Sequence, residues 1–215
     1  MIQVHQVSFS YGELSVLEKV SFRVERGEFA FLVGPSGAGK TTLLRLLFRD
    51  LVPTAGDMSI LGQQLSELTR LSLPYFRQKI GIVFQDFKFV PHKTVQQNLA
   101  LPQKLIGAKP AALRENVNKL LHQMGLAHHK DARPADISGN ERQRLAIARA
   151  VINRPLLLLA DAPTGDLDAR LSLEMMALLD ALNFQGMTIL VATSDKQLAQ
   201  KCNKRIIELR DGSIR

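Results

Sequence analysis

Gly34-Pro35-Ser36-Gly37-Ala38-Gly39-Lys40-Thr41 constrains this chain more than any other stretch. It fits G-x-x-x-x-G-K-[ST], a loop whose backbone N–H groups cradle phosphate. The apolar run Phe29-Ala30-Phe31-Leu32-Val33 ahead of it predicts a buried strand, and Thr42-Leu43-Leu44-Arg45-Leu46-Leu47 behind it predicts a helix. That strand–loop–helix order is the context the pattern needs. Gly34, Gly37 and Gly39 are expected to let backbone approach an anion without Cβ clashes. The helix start adds unpaired N–H groups and the positive end of a dipole. Lys40 is placed to reach β- and γ-phosphates, and the Thr41 hydroxyl to hold Mg²⁺. The expectation is a nucleoside triphosphate site, with Gly34 to Thr41 and the adjoining Thr42 as phosphate contacts.

The 215-residue chain has room for one large α/β domain with a real core. No run approaches about 18 apolar residues, so no membrane span is expected. Met1-Ile2-Gln3-Val4-His5 lacks the basic start and apolar core of a signal peptide. The single cysteine, Cys202, excludes an internal disulfide and is compatible with a reducing cytosol. His128-His129, flanked by Lys130, reads as a solvated turn rather than a ligand pair. The net charge of +8 and pI of about 9.9 point to an anionic partner. Nucleic acid is not expected, because the Lys and Arg are scattered and only two Tyr and no Trp are available for stacking. A membrane face, or the acidic cytoplasmic side of a membrane protein, suits the charge. A plain basic soluble surface fits it too.

Strand patterns dominate the first third. Ile2 to Phe9 and Val20 to Val24 alternate apolar and polar residues, and Met58 to Leu61 and Ile80 to Phe84 are short apolar runs, the last ending at Gln85. From Thr94 to Asn153 the pattern turns helical, divided by Pro102, Gly107, Pro110 and Gly125, with an apolar stripe at Leu113, Val117, Leu120, Leu121 and Met124. Leu156 to Ala160 and Thr188 to Ala192 are continuous apolar runs, as central parallel strands require, with a helix over Leu171 to Leu182 between them. Arg205 to Leu209 and Ser213-Ile214 read as edge strands around the Asp211-Gly212 turn. Asp161, an acid ending a buried strand, is placed to hold Mg²⁺ through water. Ser138-Gly139-Asn140-Glu141-Arg142-Gln143 opens a helix, with Ser138 and Glu141 at capping-box spacing.

In this order the motifs resemble those of the ATP-binding subunits of ABC transporters, along the whole chain. The resemblance implies an α/β fold: a P-loop NTPase core (1–93 and 154–215) with an N-terminal antiparallel β part and an inserted helical subdomain (94–153). It implies ATP and Mg²⁺ as ligands and makes Tyr11 the aromatic that stacks on adenine. Gln85 becomes the residue of the loop joining core to helical subdomain, at the metal, and Asp161 the Mg²⁺-associated acid. Ser138, Gly139, Asn140 and Glu141 become the signature that completes the site of a second copy in a head-to-tail homodimer. Gly165-Asp166-Leu167-Asp168 resembles the loop that touches that copy. Phe84-Gln85-Asp86-Phe87 and Thr94 to Ala100 are most similar to the bacterial cell-division branch, whose members work with an integral membrane permease from the inner face of the cell membrane. Lipoprotein-release and macrolide-export ATPases are similar alternatives. The permease is expected to dock near Gln85 to Val90 and the helix starting at Thr94, with Phe87 and Phe89 as exposed anchors or, alternatively, as core rings. A soluble ATPase of DNA repair or translation is a more distant rival, because the coiled-coil insertions and tandem cassettes usual there are absent.

Three positions depart from the family pattern. Ala162 stands where a glutamate usually polarises the attacking water, and a methyl group cannot accept a proton. Ser194 stands where a histidine usually contacts the γ-phosphate. Asn140 replaces the second glycine of the signature, and asparagine tolerates positive φ better than most residues. Asp166 stands where the cell-division pattern has asparagine, four residues past Ala162, and is not expected to reach the same water. ATP binding is therefore expected to be intact and hydrolysis impaired, and an ATP-gated interaction module with almost no hydrolysis is the alternative reading.

Overall fold

A computed structural model describes residues 1–165 and 167–215. Strands β1 (Ile2–Tyr11) and β2 (Leu14–Val24) form an antiparallel ribbon, and β3 (Phe29–Val33) leads through the glycine-rich loop into α1 (Lys40–Leu47). Next come β4 (Ala55–Ile60), β5 (Gln63–Gln64), α2 (Leu73–Gln78) and β6 (Ile80–Val83). Three helices follow: α3 (Val95–Leu105), α4 (Pro110–Gln123) and α5 (Gly139–Val151). The chain closes with β7 (Leu157–Asp161), α6 (Ala169–Phe184), β8 (Thr188–Thr193), α7 (Lys196–Lys201), β9 (Arg205–Arg210) and β10 (Ser213–Ile214). One sheet is antiparallel, ordered β2-β1-β4-β5. The other is ordered β10-β9-β3-β8-β7-β6 and is parallel from β9 to β6. The expected α/β class, with an antiparallel N-terminal part, is the observed one.

The continuous apolar runs are strands covered on both faces. Phe29, Phe31, Leu158 and Ala160 join one core cluster, while Ala30, Leu32, Leu157 and Leu159 join the other. Val95, Leu99, Leu121 and Leu145 belong to the first cluster, so the helical segment shares a core with one face of the parallel sheet. Burial drives this arrangement: each fully buried Leu or Phe is worth about 1.5–3 kcal/mol relative to exposure.

Several local expectations are corrected. The alternation in β1 changes parity between Val4 and Val7, because the ladder bulges there with Gln6 at φ 49°. Pro102 does not divide the helical segment; it sits inside α3. Only β10 is an edge strand of that hairpin, since β9 is sandwiched between β10 and β3. The helices α2 and α7 leave no mark in the sequence pattern, each being only six residues long, too short to display a helical period. Phe87 and Phe89 are not free exposed anchors. They are partly buried, stack on each other at 5.4 Å between centroids, and pack against the core.

Candidate nucleotide-binding site

The parallel strands end on one side of the sheet, and their C-terminal ends carry the candidate residues: the glycine-rich loop after β3, Gln85 after β6, Asp161 and Ala162 at the end of β7, and Ser194 after β8. Open α/β sheets bind ligands in that position. One cavity of about 320 Å³ gathers them. Its walls are Tyr11, Leu14 and Val16 from the β1–β2 hairpin, Ser36, Gly37 and Gly39 to Thr42 from the loop and α1, and Gln85, Asp161, Ala162 and Ser194.

The loop's shape is set by its glycines, for two different reasons. Gly39 caps α1 at φ 98°, and a Cβ there would stand 2.8 Å from Leu17 and 3.1 Å from the Val16 carbonyl. At Gly34 a Cβ would lie 2.1 Å from the Leu209 carbonyl oxygen of β9. The neighbouring strand alone therefore demands glycine at Gly34. Gly34, Pro35 and Ala38 do not line the cavity themselves. The carbonyls of Gly34 and Pro35 accept from Lys40 Nζ at 2.7 and 2.8 Å, and Ala38 is buried.

Asp161 is 9% exposed, so burial raises its carboxyl above the ordinary aspartate value. A Thr41 hydrogen bond and the Lys40 charge pull it back, and Asp86 pushes it further up. Burial likewise lowers the Lys40 ammonium, and Asp161 opposes that. Both groups are thus held where a ligand of the complementary charge favours their ionised forms. Tyr11 is half exposed at the rim, edge-on to Phe9, and its hydroxyl accepts from Arg45 Nη1 at 3.3 Å. Ala162 turns the chain at φ 44°, with its N–H on the Ala192 carbonyl at 2.9 Å. Left-handed backbone in a residue with a Cβ is a mark of local strain at the cavity wall. Ser194 is exposed, between the buried Thr193 and Asp195, which caps α7.

Ser138, Gly139, Asn140 and Glu141 do not join this cavity. They form the first turn of α5, with Ser138 and Gly139 exposed. The capping box is closed: Glu141 N–H donates to Ser138 Oγ at 3.3 Å, and Ser138 N–H and Oγ–H donate to Glu141 Oε2 at 2.8 and 2.7 Å. Those hydrogen bonds, above all, hold the Glu141 carboxyl below its ordinary value.

The family model for ABC transporters matches residues 17–165. The cell-division ATP-binding protein FtsE of Streptococcus pneumoniae is 42% identical over 200 residues, covering 93% of this chain and 87% of its own. FtsE of Escherichia coli is 40% identical over 215 residues, covering 100% and 97%. This chain belongs to the ABC transporter family of ATP-binding subunits. A solved structure titled as the dimeric form of MJ0796, a bacterial ABC transporter cassette, superposes at a TM-score of 0.90 with 35% identity, over 100% of this chain and 96% of that one. A second structure of MJ0796, a dimer after hydrolysis bound to ADP and Pi, gives 0.89 at 34% identity, covering 100% and 96%.

Against the ABC fold, three residues gain a place that sequence reading did not give them. Gln143, the last residue of the signature, is buried, and its Nε2 donates to the carbonyls of Pro163 and Ala162, so α5 holds the loop after β7. Arg149, further along α5, donates to the carbonyls of Phe87 and Lys88 and lies 4.9 Å over the Phe89 ring. It thereby holds the segment after Gln85, where Phe87 and Lys88 are both left-handed, at φ 58° and 51°. Asn98, fully buried, accepts from Val90 N–H and donates to the carbonyls of Val90, Lys93 and Thr94. Asn98 and Gln143 are buried polar residues on helices whose neighbouring buried positions are mostly apolar, and a polar residue in an apolar stripe was the available signal for those two; Arg149 is half-buried and carried none. Asp166 lies outside the described residues, and Asp168 caps α6 through the Leu171 N–H at 2.9 Å. Among the described residues no helix is long and apolar enough to cross a membrane.

Proposed function

We propose that this chain is the ATP-binding subunit of an FtsE-type assembly in bacterial cell division, working at the inner face of the cell membrane on an FtsX-like integral membrane permease. The observation that supports it best is the single cavity shared by Tyr11, the phosphate loop, Gln85 and Asp161, with the signature turn exposed elsewhere on α5. Adenine stacks on Tyr11, and the triphosphate lies along Ser36, Gly37 and Gly39 to Thr42, with Gly34, Pro35 and Ala38 shaping the loop behind it. Ser138, Gly139, Asn140 and Glu141 of a second copy close the site, so the working unit is a head-to-tail dimer with two shared sites. The dimeric MJ0796 cassettes support that assembly. Thr41, Gln85 and Asp161 offer hydroxyl, amide and carboxylate oxygens to one cavity, an all-oxygen set that suits Mg²⁺. When bound, Mg²⁺ neutralises charge on the triphosphate.

Coupling runs through α5, because Gln143 holds the loop at Ala162 and Arg149 holds the loop after Gln85. A copy that seats its signature on ATP moves both loops with the helical segment 94–153 relative to the core. The permease docks where that segment meets Gln85 to Val90. Hydrolysis is slow, because Ala162 has no acceptor for the water's proton and Ser194 carries no positive charge. ATP binding thus outlasts turnover, and the closed dimer is long-lived.

Sedimentation with and without Mg·ATP tests the reading. Nucleotide should convert the chain to a twofold dimer, and the ATP-loaded form should be retained by membranes carrying the FtsX-like permease. A chain that binds ATP yet stays monomeric and unretained would refute the assembly while leaving the nucleotide site standing.

A further inference from the structure

Outside the nucleotide cavity, two imidazoles converge on one carboxylate oxygen. His129 Nε2 lies 2.9 Å from Glu141 Oε1 and His128 Nε2 lies 3.8 Å from the same oxygen, with the three candidate ligand atoms within 4.8 Å of one another. Four-coordinate Zn²⁺ with bonds of about 2.0–2.1 Å needs ligand atoms about 3.3 Å apart, a separation these two distances bracket. Glu141's other oxygen, Oε2, is held by Ser138 N–H and Oγ–H, so the carboxylate is oriented from behind, as metal ligands usually are. The His128 side chain is 66% exposed, which leaves the cluster open to an ion from solvent. We propose that His128, His129 and Glu141 form a site for a borderline divalent metal of the Zn²⁺ class, stapling the short turn Ala127–His129 to the first turn of α5. Imidazole and carboxylate donors favour Zn²⁺ over Mg²⁺ or Ca²⁺. Because Glu141 belongs to the signature turn, occupancy would stiffen the surface offered to the second copy. The solvated turn expected of His128-His129 is thus one arm of a three-donor cluster. Its other arm lies twelve residues further along the chain (141 − 129). None of the three residues lines the chain's own nucleotide cavity, but Glu141 belongs to the turn proposed to close a second copy's site, so metal binding is tested on the nucleotide-free chain, where it does not depend on that assembly.

The test uses the chelator-treated, nucleotide-free full chain. Co²⁺ should give the strong visible absorption of a tetrahedral site, Zn²⁺ should displace it, and dialysis should find one equivalent of Zn²⁺ per chain. His128→Asn with His129→Asn should weaken Zn²⁺ by more than about tenfold, since even an outer-shell loss costs that much. Glu141→Gln should weaken it too while keeping the cap, because glutamine serves the same box. Circular dichroism confirms that each variant is folded. Cys202→Ser should leave binding unchanged. No uptake at micromolar metal, uptake that survives the double His variant, or uptake lost with Cys202→Ser would overturn the site.

Discussion

The two walls of the nucleotide cavity are made differently. The phosphate wall, Ser36, Gly37 and Gly39 to Thr42, is a set of near neighbours in the chain that includes a helix start and the Lys40 side chain. The other wall brings Ala162 and Ser194 from the ends of two strands, one carrying a methyl group and the other a hydroxyl. Holding phosphate is largely a property of backbone shape, which many side chains leave intact. In the proposed reading, cleaving it depends on an acceptor at the position where this chain presents the Ala162 methyl group.

The largest effect should come from repairing the second wall. Ala162→Glu should raise steady-state phosphate release by on the order of 10²-fold or more, and adding Ser194→His should raise it further. Brisk turnover by the unaltered chain would break the contrast between the walls, because it would mean that another residue supplies the base.

The next test sharpens what backbone shape means on the first wall. Gly34→Ala should cost about 3 kcal/mol in urea unfolding, since its Cβ meets the Leu209 carbonyl. Gly37→Ala, with open space but φ 81°, should cost only about 1–2 kcal/mol. Equal losses would show that the crowding by β9 does not decide Gly34.

Lys40→Ala removes the one cation of the phosphate wall. Calorimetry with Mg·ATP should show a loss of about 1.5–3 kcal/mol, the scale of a charge-assisted hydrogen bond. Unchanged affinity would sink the assignment of that wall. Tyr11→Ala should cost the least, about 1 kcal/mol of ATP affinity, as one base–aromatic stack does. No loss would mean that adenine rests elsewhere on the rim.

What the amino-acid order decides by itself is local. Phosphate loop, flanking strand and helix are contiguous, so their spacing alone states the geometry. The Ser138–Glu141 cap is legible in the same way, because both partners lie within one helical turn. The two-sided burial of β3, β7 and β8 is legible from unbroken apolar runs. The tertiary structure decides what joins distant parts. Gly34 is required by Leu209, Gln143 meets Pro163, and Arg149 reaches back to Phe87 and Lys88. Phe87 and Phe89 turn inward for the same reason: Arg149 and the core cover them. None of these pairs shares a helical turn or a hairpin, so no periodicity records them. They exist because sheet order brings β9 beside β3, and because α5 crosses from the signature turn to both loops of the cavity.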